Sequence, residues 1–174
     1  MKRTLAAFCC LFLASLPALA QKKASAGKAM TDQQFVDFAA QTDMVEANLG
    51  QTAANAASSQ QVKDYASTLV TQHTADYGQL STAAKQANLT VPNAIDTEHN
   101  KMIAPFEKLK GAAFDRKYAQ EMVSGHTKAI EIYKKEAANA QNDAIKNYAQ
   151  TALPVLEQHL TGAKDLEKAR PSAK

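Results

Sequence analysis

The spacing of its breaks constrains this chain more than any other feature. Four stretches repeat apolar residues at helical period, and the connections between them run short, long, short. In the first, Phe35, Phe38, Thr42, Val45, Leu49, Ala53 and Ala56 recur every three to four residues, and Thr31 with Gln34 forms a capping-box start. Ser58 with Gln61 repeats that start signal after a very short connection. A second helix follows, with Val62, Tyr65, Leu69, His73, Tyr77 and Leu80 on one face, ending near Asn88. Residues 89–111 break the pattern. Pro92 and Asn93 mark a turn, and a short amphipathic piece from Asp96 to Leu109 is interrupted at Pro105. A third helix over 112–138 aligns Phe114, Tyr118, Met122, His126, Ile130 and Tyr133. A fourth over 144–169 aligns Ile145, Tyr148, Ala152, Leu156, His159, Ala163 and Leu166, with a kink expected at Pro154.

Helices joined by very short loops must lie antiparallel, and one long connection between two such hairpins is the ferritin-like plan. The spacing therefore predicts an all-α, ferritin-like four-helix bundle over residues 31–170. Its long crossover, between the second and third helices, contains a short helix. Glycine is scarce and β-branched runs are absent, which speaks against a sheet.

The first twenty residues read as an export signal. Lys2 and Arg3 precede an apolar run from about Leu5 to Leu16, and Ala18-Leu19-Ala20 supplies a small–x–small cleavage site. Residues 21–30 are small and polar, a flexible lead-in. Cleavage after Ala20 removes Cys9 and Cys10, so no disulfide, thiolate metal site or cysteine nucleophile is expected in the mature chain. About 150 residues remain, enough for one domain with a real core. The whole chain carries a net charge of +3, and losing Lys2 and Arg3 brings it close to neutral. That is no footprint for nucleic acid. With no second long apolar stretch, no transmembrane segment is expected in the mature chain. A periplasmic location follows, with peripheral association with the envelope, or secretion, left open. The spacing sets no oligomeric state.

Three of the four histidines sit on the apolar stripes. "LVTQHT" (69–74) and "MVSGHT" (122–127) are lookalikes, and "LEQHLT" (156–161) is a looser echo. Counted from the hairpins, Glu46 lies about 11 residues in, His73 about 15, His126 about 14 and His159 about 17. Those depths agree within roughly one turn. Glu46, His73, His126 and His159 can therefore share one inner layer. A buried imidazole without a partner is costly, by several kcal/mol. Two arrangements answer that cost. One is a single transition-metal ion held by all four groups, since imidazole suits zinc, copper and iron. The other is a hydrogen-bonded core in which the histidines meet one another, Glu46, tyrosines such as Tyr65 or Tyr118, or water. In that second case buried neutral histidines have depressed pKa values, and acid destabilises the fold.

A ferritin-type di-iron carboxylate centre is disfavoured. It needs Glu-x-x-His, and Val70, Val123 and Leu156 occupy the positions three before the histidines. Glu121 and Glu157 point about 140° and 200° away from the histidine faces at about 100° per residue, and read as solvated surface. His99, in the crossover, reads as exposed. No Ser–His–Asp set, phosphate loop or paired-carboxylate motif assembles, so nothing in the spacing points to an enzyme; catalysis at a bound metal would need a solvent path to the layer.

"LKGAAFDRKY" (109–118), His126, "YKKEA" (133–137) and "LPVLEQHL" (153–160) resemble the domain of unknown function 4142, a family of exported bacterial proteins. The resemblance covers most of residues 30–168. It implies a ferritin-like fold and export, and assigns no activity. In that family an aspartate commonly precedes the first histidine, where this chain has Gln72, so a carboxylate that orients the imidazole from that position is not carried over.

Overall fold

The computed structural model describes residues 30–169. The export signal expected at 1–20 and all of the lead-in except Met30 lie outside the described residues. Among these, the elements are α1 (Asp32–Ala56), α2 (Gln60–Gln86), α3 (Thr97–Ile103) running into a 3-10 turn (Ala104–Phe106), α4 (Gly111–Asn139) and α5 (Asp143–Lys168). The all-α bundle with a helix-bearing crossover is thus the observed architecture, with no strand among the described residues.

Local chemistry sets most helix ends. Thr31 caps α1 in a complete capping box with Gln34. α2 ends on Asn88, whose φ of 56° is left-handed. There the Leu89 N–H donates to the Ala84 carbonyl at 2.8 Å and the Asn88 N–H to that of Lys85 at 3.2 Å, closing a Schellman motif. Asp96 caps α3 through the His99 N–H, and Pro105 falls in the 3-10 turn, where the helical pattern was expected to break. Pro154 does not interrupt α5, which stays helical through it. The proline lies on the exposed face, where a carbonyl that loses its N–H partner is free to meet water.

One expected cap is corrected. α2 starts at Gln60 under Ser59, one residue later than Ser58 with Gln61 suggested. Ser58 is engaged elsewhere. Asp115, buried at the start of α4, accepts from the Ser58 N–H (3.1 Å), the Ser58 hydroxyl (2.5 Å) and the Ser59 N–H (3.0 Å). At the other end Asp32 accepts from the Gln141 and Asn142 N–H groups, at 3.0 and 2.8 Å. Each hairpin turn is therefore clamped by an aspartate from the other hairpin.

These clamps place the start of α4 beside the α1–α2 turn, and the start of α1 beside the α4–α5 turn. The crossover must then run the length of the bundle. It does so along α1, held by two glutamine side chains. The Gln33 amide group exchanges hydrogen bonds with the Thr90 backbone; that of Gln41 accepts from the Asp96 N–H and donates to the Ala94 carbonyl. α1 pairs most closely with α2, and α4 with α5; α2 against α5 and α1 against α4 complete the bundle. Gly50 permits the α1–α2 approach, since a Cβ there would stand 2.6 Å from Val70 Cγ2 and 2.9 Å from the Ala66 carbonyl oxygen.

The apolar interior falls into two clusters. One gathers Phe35, Leu80, Tyr133, Ile145 and Tyr148. The other gathers Leu49, Leu69, Phe106, Phe114, Tyr118 and Met122. Replacing Asp115 by alanine strands two turn N–H groups and a hydroxyl. Urea unfolding is expected to show a loss of about 2–3 kcal/mol for Asp115→Ala, against a smaller loss for Asp115→Asn, which retains one acceptor oxygen.

Candidate metal centre

Four helices each send ionisable or polar side chains to the same depth: Asp43 and Glu46 from α1, His73 from α2, His126 from α4, and His159 from α5. All five are buried. The ring centroids of His73, His126 and His159 lie 5.0 to 5.8 Å apart. One ring nitrogen from each falls within 4.8 Å of the other two. The shared layer read from periodicity is therefore present, with all three histidines and Glu46 in it. The lookalike motifs have a simple local basis. Thr74 and Thr127 each donate to the carbonyl four residues back, those of Val70 and Val123, on the exposed side of their helices, while the preceding histidine turns inward.

Each imidazole is held at one nitrogen by a different kind of acceptor. His73 Nδ1 lies 2.8 Å from Asp43 Oδ1. His126 Nδ1 lies 2.8 Å from the Met122 carbonyl, one turn back on its own helix. His159 Nε2 bonds the side-chain oxygen of Gln72. Fixing one nitrogen fixes the ring and the direction of the other. Those others, His73 Nε2, His126 Nε2 and His159 Nδ1, are fully buried and have no aligned hydrogen-bond partner among the described residues. Glu46 Oε2 stands 3.0 Å from His73 Nε2 and 3.2 Å from His126 Nε2, and it too lacks an aligned hydrogen bond. Both are ion-pair distances, so Glu46 is the facing partner of these two nitrogens.

Burial alone would neutralise Glu46. The imidazoles of His126, His73 and His159 outweigh it and hold the carboxyl at about 2. Burial likewise opposes charge on His73, but Glu46, and then Asp43, raise it to about 10. For Asp43 burial wins, raising it to about 7 against the pull of His73. The two partners of His73 are thus unequal: Glu46 answers the imidazolium, and Asp43 holds its own charge loosely. His159 goes the other way, to about 3, first through burial and then through the neighbouring imidazoles of His73 and His126. The expectation that the buried histidines are all depressed is corrected at His73, because two carboxylates flank it.

Two holders were not foreseen. Asp43 lies three residues before Glu46 on the same face, and that i,i+3 spacing was the available signal. Gln72 orients an imidazole after all, but that of His159 on a neighbouring helix. The tyrosines do not complete the network: Tyr65 donates to the His159 backbone carbonyl at 2.9 Å, and the buried Tyr118 hydroxyl has no protein partner among the described residues. Glu157 is exposed and pairs with Lys134 at 2.9 Å, as solvated surface. Glu121 and His99 are half-buried, so their expected exposure is only partly met; both line a cavity that reaches Glu46.

Three buried imidazole nitrogens converging beside one carboxylate, each ring braced from behind, are a donor set that fits a transition-metal ion. Metal–nitrogen bonds of about 2.0–2.1 Å put tetrahedral ligand atoms roughly 3.4 Å apart, so binding would draw the rings slightly inward. Fold and site together define a four-helix bundle built around a buried histidine layer. The chain belongs to the family described as "Domain of unknown function (DUF4142)", whose profile matches residues 17–166. Among solved structures, "CopM in the Cu(II)-bound form" shares the fold, with a TM-score of 0.66 and 15% identity over 80% of this chain and 97% of that one. No curated protein matches. No helix among the described residues is long and apolar enough to cross a membrane.

His159 gives the metal-free protein an acid-sensitive component. Its folded pKa, about 3, lies below its ordinary 6.5, so protons favour the unfolded chain. The group contributes nothing above about pH 6.5 and destabilises progressively as pH falls toward 3. In urea titrations of metal-free protein at pH 7, 6, 5 and 4, His159→Gln is expected to lose less stability than wild type; equal losses would contradict this assignment.

Proposed function

We propose that this protein is an exported, periplasmic metal-binding bundle. It holds one transition-metal ion through His73, His126 and His159, with Glu46 as the carboxylate donor, in metal handling or envelope stress. The observation that carries the reading is the convergence of three buried ring nitrogens, two of them facing the Glu46 carboxylate at 3.0 and 3.2 Å, with each ring braced at its other nitrogen. Three imidazoles and a carboxylate suit zinc, copper and iron alike. Copper comes first because the Cu(II)-bound CopM structure has this fold. Val70, Val123 and Leu156 still argue against a di-iron carboxylate centre. Export is supported by the basic start, apolar run and Ala18-Leu19-Ala20.

A second reading has its own observation. His73 is flanked by Asp43 and Glu46 at 2.8 and 3.0 Å, so it is satisfied as an imidazolium without any ion. On that reading the layer is a buried ionic network in a non-catalytic protein of the cell envelope.

Metal analysis of protein prepared from the periplasm without chelators separates the two. One ion per chain is expected, and His73→Ala, His126→Ala and His159→Ala should each abolish stoichiometric binding. Chelation should lower the melting temperature, since an ion at about 1,000 times its dissociation constant adds roughly 4 kcal/mol. Metal retained by all three variants, or protein that carries no stoichiometric metal as prepared and gains no melting temperature when copper, zinc or iron is added, decides for the ionic network.

A further inference from the structure

The layer is buried, so an ion must have a way in. Two openings approach it. A crevice of about 10 Å³ between α2 and α5 is lined by Gln72, His73, Val155 and His159, and the Gln72–His159 hydrogen bond crosses it. A cavity of about 110 Å³ lies between α1, α3 and α4. Phe38, Leu49 and Met122 form its walls, and Glu46 is reached at its depth. Around its rim stand Met102, 45% exposed, half-buried His99 from the same face of α3, and Lys128. The first opening holds at most a water; the second admits a hydrated cation that sheds part of its shell.

Glu46 separates this cavity from the histidines. On the cavity side Gly125 presents no side chain, and a Cβ there would stand 3.5 Å from Glu46 Oε1. On the inner side Oε2 faces His73 Nε2 and His126 Nε2 at 3.0 and 3.2 Å. A carboxylate with one oxygen on each side can exchange a cation between them by a small rotation. The cavity also carries the Glu121 carboxylate; its thioether and imidazole are the donors that favour borderline and soft transition metals, while the carboxylate adds charge attraction for any cation.

We infer that the α1–α3–α4 cavity is the route by which a transition-metal cation reaches the imidazole layer, with Met102 and His99 as first donors and Glu46 as the group that passes it inward. This rests on the metal-centre reading above. It also gives the crossover helix a task beyond spanning the bundle.

Met102 and Val155 make a paired test. Both are exposed hydrophobic side chains, 45% and 37% accessible, and each lines one opening, so charges there should leave the fold intact. Metal-free protein is mixed with cobalt(II) chloride at low ionic strength, and loading is followed by ligand-field absorption. Met102→Glu should load faster than Met102→Lys by at least about fivefold, the gap closing in high salt, as expected for steering at a narrow mouth. Val155→Glu and Val155→Lys should agree within about twofold on the same scale. Gly125→Leu, which fills the space before Glu46, should slow loading while the final stoichiometry stays at wild type. Wild-type loading with indistinguishable Met102 variants, or a charge effect confined to Val155, overturns the route alone. No stoichiometric cobalt signal in wild type overturns the metal centre and the route with it.

Discussion

The structure turns on one buried carboxylate facing three imidazoles. Glu46 sits between two apolar clusters of the bundle interior, and desolvating its charge is costly. His73 and His126, at 3.0 and 3.2 Å, answer that cost. The result is a polar layer that splits the interior into two apolar clusters. Each of the four long helices, α1, α2, α4 and α5, contributes to the layer, so their relative depth is tied to it. A slip of one turn on any helix would carry a charged or polar group into one of the apolar clusters.

The braces behind the rings show how rigid the layer is. A carboxylate, a main-chain carbonyl and an amide oxygen each fix one ring, and none is shared between rings. Such bracing aims the remaining nitrogens at one point before any ligand arrives. Two of those nitrogens, His73 Nε2 and His126 Nε2, face Glu46 Oε2 at 3.0 and 3.2 Å, while His159 Nδ1 has no hydrogen-bond partner among the described residues. The tyrosines stand outside this set: Tyr65 bonds a backbone carbonyl, and the Tyr118 hydroxyl has no partner among the described residues.

Legibility in the sequence followed the range of the interaction. The Thr31–Gln34 capping box was readable because both partners lie in one turn. The cap of α2 was not, because Asp115 recruits Ser58 from 57 positions away. The histidines were readable as inward-facing since the helical period places them on apolar stripes. The unequal charges within the layer were not, because they depend on which carboxylate lies nearer which ring. Asp43 was overlooked beside Glu46 for the same reason: its spacing was visible, but its partner on α2 was not.

By itself the sequence determined the helices, their order, the short and long connections, and the faces that turn inward, since each follows from local periodicity and loop length. It also argued against a ferritin-type di-iron site, because the residues three before the histidines are aliphatic. Only the tertiary structure decided that Gln72 braces His159, that His73 stands between two carboxylates, and that a cavity under α3 ends on Glu46. These depend on how helices distant in sequence pack side by side, and distances of 3 Å between them are set by that packing alone.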